Sequence, residues 1–193
     1  MSKTRFEAFT DGVIAVIITI MVLDIKVPAK PTWQSLAGIG QNALVYVISF
    51  ILIFSVWISH HRIMLNLHSP DTPLLWINAF FLLFLSFAPL STAWVGHYIT
   101  YPLPEFLFSL NSLCNMLMIR ALSNHVRHIE NFNEKTQATY SAIQGKTRYN
   151  IILAVFCCII SFFVPLLAFV VSAGIAIYWI LNGLLVHYQY GHY

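Results

Sequence analysis

The sequence predicts an all-α membrane protein with several spans, on three observations. Of its 193 residues, 59% are hydrophobic and only 9% are charged, where ordinary soluble domains carry roughly 25% charge. Mean hydropathy is +0.75. The apolar residues also fall into stretches long enough to cross a bilayer as helices, which takes about 20 residues for a hydrocarbon core of roughly 30 Å. A β-barrel would alternate apolar and polar positions, whereas these stretches are apolar on every side.

Six spans follow in one domain covering 1–193. The first, 4–27, has Arg5, Glu7 and Asp11 at its near end and Asp24 and Lys26 at its far end. It lacks a small-residue cleavage site, so it reads as a retained helix and not a signal peptide. The second, 33–61, ends in WISHHR, and the third and fourth cover 72–98 and 103–125. The fifth and sixth, 147–163 and 165–187, come from one apolar stretch too long for a single span. Pro165 divides them, because proline donates no amide and disfavours helix at the residue before it. No comparable break is expected in the second or third span. The polar segment 124–146 reads as a partly helical connector. The chain has no internal repeat, so a symmetrical assembly requires several copies.

The distribution of charge orients these spans. Of the ten Lys and Arg residues, Lys3, Arg5, Arg62, Arg120, Arg127, Lys135, Lys146 and Arg148 fall on one side, and only Lys26 and Lys30 on the other. Positive charge concentrates in cytoplasmic connections, so both termini are expected in the cytoplasm. The cations form no basic stripe, and nucleic acid is not an expected partner. Cys114, Cys157 and Cys158 sit in apolar stretches, where they read as small packed side chains and not as a disulfide framework.

Enzymatic readings find little support. His60 and His61 are adjacent and project about 100° apart on a helix, unlike an i, i+4 metal-binding pair. His-Glu-x-x-His, Gly-x-Ser-x-Gly and phosphate-cradling glycine motifs are absent from the sequence. Neither catalysis nor a cofactor is expected. Polar groups inside the membrane carry more information, because each is costly in hydrocarbon and tends to be paired or to line a water path. The inventory is Arg5, Glu7, Thr10, Asp11, Thr19, His60, His61 and Asn78. Arg5 and Asp11 lie about 240° apart around a helix and do not pair within it. Arg5 is therefore expected to meet His60, His61 and Asn78, or a neighbouring subunit. Val16, Ile20, Leu23 and Val27 form a stripe with Thr19 beside it. In so apolar a helix that stripe suits lipid, a packed neighbour or a symmetry axis. The residues themselves leave open a proton-coupled transporter with Asp11 or a histidine as the titrating group, and a membrane structural or assembly protein that transports nothing.

Arg5, Phe9, Thr10 and Asp11, in RFEAFTDGVIAVIITIMVL, resemble the Arg-x-x-x-Phe-Ser-Asp signature of the bacterial relatives of the endo-lysosomal transmembrane potassium channel. VWISHHR (Val56–Arg62) and the stretch Leu74–Tyr98 resemble the same family. The resemblance implies a six-helix subunit, a homotetramer, and a central pathway lined by the first helix that prefers potassium over sodium. It further implies that no Thr-Val-Gly-Tyr-Gly filter is used, and the chain contains none. The implied constriction is Val16, Ile20 and Leu23, with Thr19 as the hydroxyl associated with selectivity. Arg5, Phe9, Thr10, Asp11, His60, His61 and Asn78 become a network for gating and assembly. Asp11 lies about 140° from Val16 around the helix and so falls outside the constriction. Two departures stand out. Thr10 occupies the usual serine position and keeps its hydroxyl, and Val16 is smaller than the usual Ile or Leu, which widens that ring. The implied partners are K+ and other monovalent cations as transient permeant ions with no resident metal, further copies of the chain, and the lipid of a bacterial plasma membrane.

Overall fold

The computed structural model describes residues 1–130 and 132–190, with the backbone alone for 135, 139, 180 and 182–190. Its helices are α1 (Lys3–Val22), α2 (Trp33–Ala37), α3 (Gly40–Met64), α4 (Thr72–Leu85), α5 (Ala88–His97), α6 (Pro102–Ile129), α7 (Glu134–Ile160) and α8 (Pro165–Tyr190). No strand occurs among the described residues. The segments Gly40–Met64, Thr72–His97, Pro102–Ile129 and Thr136–Ile160 are long and apolar enough to cross a membrane. With α1 and α8 they make an all-helical, multi-pass membrane protein.

Each helix begins and ends for a local reason. Ser2 caps α1, its hydroxyl accepting the Arg5 amide at 3.4 Å. Asp71 caps α4 by accepting the Leu74 amide at 3.0 Å, and Pro73 stands in the first turn, where its missing N–H is not needed. α1 stops at Val22, with Leu23 as its C-cap, and not at 27. Pro28 and Pro31 keep the helix from resuming beyond this end, since neither can continue a helix and each biases the preceding residue toward extended backbone. The second rod divides as well: α2 is a short turn capped by Thr32, and α3 restarts after Gly38 and Ile39.

The third rod breaks between α4 and α5 at Ser86 and Phe87, where no break was expected. Pro89 supplies no amide, and its ring conflicts with the carbonyl of Leu85 one turn earlier. The Ser86 hydroxyl donates to the Leu83 carbonyl at 2.7 Å and helps satisfy the interrupted ladder.

The expected connector 124–146 is almost entirely helix. α6 continues to Ile129 and α7 already begins at Glu134, while Asn131 lies outside the described residues. Asn133 caps α7 through the Thr136 amide at 2.8 Å. Tyr140 is buried, donates its hydroxyl to the Ile63 carbonyl and stacks on Phe132 at 4.5 Å between centroids. This extension is amphipathic and not uniformly apolar, so hydropathy alone truncates it. The final hairpin turns over 161–164, and α8 opens on Pro165; residues 191–193 lie outside the described residues.

The main core joins α1, α3, α4 and α6 through Phe6, Ile14, Ile17, Met21, Phe81 and Leu122, among others. Polar contacts gather at one end of the bundle. Lys3 Nζ donates to the Leu65 carbonyl at 2.9 Å, complementing the negative end of α3. His68 meets Glu130 at 2.7 Å, and His125 meets Asp71 at 2.9 Å. Arg127 donates to Gln144 at 2.6 Å. Basic residues that are far apart in sequence are thus brought to one end.

Candidate functional site: an anchored first helix with an exposed stripe

α1 places its side chains on three faces. Phe6, Thr10, Ile14, Ile17 and Met21 recur at three- and four-residue intervals, and all are buried on the face that packs against α3, α4 and α5. Roughly a third of a turn away lie Phe9, Gly12, Val16, Ile20 and Leu23. Within a single chain this face is open: Val16 is 55% exposed, Ile20 46% and Leu23 73%. A Cβ added at Gly12 would meet no atom within 4 Å. Asp11 belongs to neither face and points toward α3.

A directed chain of hydrogen bonds anchors the buried face. The Thr10 hydroxyl donates to the Phe6 carbonyl at 3.1 Å and accepts from Asn78 Nδ2 at 2.8 Å. Asn78 Oδ1 lies 2.9 Å from His60 Nε2. An amide oxygen can only accept, so His60 carries a proton on Nε2. The Phe6 bond uses the single Thr10 proton and thereby fixes which way the Asn78 amide faces. Phe81 stacks on the His60 ring at 5.4 Å, and Phe6 tilts against it at 6.4 Å. A buried polar trio with partners satisfied in this way specifies one rotational setting of α1 against α3 and α4.

A second anchor stands nearer the surface. Trp57 Nε1 donates to Asp11 Oδ1 at 2.8 Å. The indole is itself stacked between Phe54 at 5.3 Å and His61 at 5.8 Å on α3. His61 therefore joins the network through Trp57, and the adjacent histidines serve separate anchors. Phe9 lies on the open face and not in either anchor. The Arg5 guanidinium is exposed and has no hydrogen-bond or ion-pair partner among the described residues; Thr10, and not Arg5, meets Asn78. The Thr19 hydroxyl is exposed and donates to the Val16 carbonyl at 2.9 Å.

Sequence reasoning missed Trp57, Phe6 and Phe81. Trp57 was detectable, because an indole N–H in an apolar span needs an acceptor and Asp11 is one of few available. The inventory of intramembrane polar groups also omitted Glu105, Asn111 and Asn115, which are interspersed in the fourth span and lie within the fold.

A groove runs between α1 and the α4–α5 elbow, lined by Phe9, Gly12, Val16 and Ile20 on one side and Ser86, Pro89 and Leu90 on the other. The open stripe of α1 forms one of its walls.

Residues 5–89, which contain both anchors and the stripe, match the family described as endosomal/lysosomal potassium channel TMEM175. A potassium channel of Chryseobacterium sp. (strain P1-3) is 34% identical over 185 residues, covering 94% of each chain. The chain belongs to the TMEM175 family. A potassium channel of Streptomyces collinus is 34% identical over 99 residues, about half of each chain (49% and 48%). The crystal structure of a lysosomal potassium-selective channel TMEM175 homologue from Chamaesiphon minutus superposes with a TM-score of 0.83 at 26% identity. That superposition covers 93% of this chain and 97% of the other. The TMEM175 fold thus extends well beyond residue 89, through α6, α7 and α8.

Proposed function

We propose that this chain forms a potassium-preferring cation channel in which four copies surround a central path lined by the first helix of each. The observation that carries the reading is the division of α1 into a face anchored by Thr10, Asn78 and His60 and an open stripe holding Val16, Ile20 and Leu23. Anchoring one face of a helix fixes what its other faces present. The kinship with proteins named potassium channels supports reading that surface as part of an ion path.

Two features favour a neighbouring copy over lipid alone beside the stripe. Gly12 and the adjoining groove admit close approach of another helix, and the exposed Arg5 requires water or an acceptor from outside its own subunit. Four rings of Val16, Ile20 and Leu23 would form an apolar constriction of the kind that gates by dewetting. Leu23, at the C-cap of α1, would sit at its end, with the Thr19 hydroxyl between the rings. The anchors hold His60, Asp11 and Asn78 in structural hydrogen bonds, which suits a passive channel better than a titrating transporter or an enzyme. The setting is a bacterial plasma membrane with both termini cytoplasmic, consistent with the basic end of the bundle.

Liposomes carrying purified protein test this reading directly. Potassium efflux is expected to exceed sodium efflux under matched gradients, to be limited by the membrane potential it builds, and to accelerate when a protonophore lets protons move inward to balance the charge. Flux that saturates with potassium concentration and moves protons in a fixed ratio while the membrane potential is held at zero would replace the channel with a coupled transporter.

A further inference from the structure

A cavity lined by both apolar and polar side chains lies inside the subunit between α3, α4, α5, α6, α7 and α8, separate from the α1 stripe. Its volume is about 50 Å³, room for a few water molecules at roughly 10–15 Å³ each. Ser49 Oγ, Thr92 Oγ1 and Asn115 Oδ1 belong to residues lining it, and all three are buried without a protein hydrogen-bond partner among the described residues. One turn before the lining residue Ser109 on α6 is Glu105, 0% exposed and the only carboxylic acid in the buried core among the described residues. Ser109, a lining residue, donates to Glu105 Oε1 at 3.4 Å, while Glu105 Oε2 has no protein partner.

A carboxylate in that position would be an uncompensated charge. No Lys, Arg or His among the described residues acts on Glu105, and the titratable groups facing it are the thiols of Cys157 and Cys158 on α7. The linings contributed by α3, α5 and α8 are uncharged. The first turn of α6 favours negative charge, but a helix end offsets only a small part of the cost of an unpaired buried ion. We infer that Glu105 is a proton-binding site inside each subunit, its Oε2–H donating to water in the adjoining cavity. The polar positions are spread along α6 from Ser109 to Asn115, about 9 Å at 1.5 Å per residue, an extent that suits a short file of water better than one cation cage. Ile119 and Leu122, one and two turns beyond Asn115 on α6, are buried and apolar and do not line the cavity.

Infrared difference spectroscopy on the full-length protein in lipid vesicles at neutral pH tests this. The expected result is a protonated-carboxyl C=O band in the wild type that is lost in Glu105→Gln and moves when H2O is replaced by D2O. In Ser109→Ala the same band should move to higher frequency, and this second variant decides the matter if Glu105→Gln does not fold. Absence of any band sensitive to either substitution would overturn the proposal. So would a carboxylate band that changes when NaCl replaces KCl, which would identify a bound cation, or a carboxyl band unmoved in D2O, which would mean a dry cavity. Potassium flux is measured separately, so failure here leaves the conduction reading standing.

Discussion

At the residue scale, the setting of α1 depends on a few directed hydrogen bonds. Thr10→Ser keeps the hydroxyl and removes one buried methyl, an expected loss of about 1 kcal/mol. Thr10→Val keeps the shape but leaves the Asn78 Nδ2–H without an acceptor, at a cost of about 1–3 kcal/mol. Thermal unfolding of the detergent-solubilised protein should therefore rank wild type above Thr10→Ser and Thr10→Ser above Thr10→Val. A valine variant as stable as the serine variant would mean that the buried trio does not anchor the helix. Asp11 and Trp57 separate charge from hydrogen bonding in a similar way. Asp11→Asn retains an oxygen that can accept from the Trp57 indole, whereas Trp57→Phe abolishes the bond. Recovery of assembled protein and open probability should fall more in Trp57→Phe than in Asp11→Asn, with the K+/Na+ ratio unchanged in both. An altered ratio with normal assembly would bring Asp11 into the ion path.

At the element scale, the basic end of the bundle is fastened by pairs that respond to acid. Burial pushes the Asp71 carboxyl up, but the Leu74 amide and His125 outweigh it, leaving its pKa below the ordinary 3.8. Glu130 behaves alike: burial raises it, while the His68 amide and ring, with Lys3, bring it below the ordinary 4.5. A carboxylate whose folded pKa is lowered contributes stability that is present above its unfolded value and is lost as pH falls through the folded value. Both ties should hold from neutrality down to about pH 4.5 and fail progressively below it. Removing the imidazoles in His68→Ala and His125→Ala should move the acid limb of the unfolding curve to higher pH; an unchanged limb would show that these exposed pairs contribute little. The same elements mark where sequence reasoning was strong and where it was weak. Long apolar rods and the turn at Pro165 were legible because hydropathy and proline chemistry act locally. The extension of α7 back to Glu134 was not, because its single buried stripe through Tyr140 acquires meaning only once α3 and α6 are beside it. The break before Pro89 had a local cause and could have been read; the apolar run around it hid it.

At the scale of the whole molecule, the resemblance assigned the Val16, Ile20 and Leu23 face of α1 to the ion path, while the physical reading of the sequence left lipid, packing and axis open together. The reason is compositional: nearly every position from 13 to 23 is apolar, so periodicity carries no direction until Thr10 is tied to Asn78 and Trp57 to Asp11. Once those bonds are in place, the stripe is the face of α1 that the subunit itself leaves uncovered. Single-channel recording of Ile20→Ala and Leu23→Ala in planar bilayers tests that assignment most directly. Shortening an apolar ring should widen the constriction, raise conductance and weaken the preference for potassium over sodium in at least one of the two variants. Conductance and selectivity identical to wild type in both would place the ion path elsewhere in the molecule.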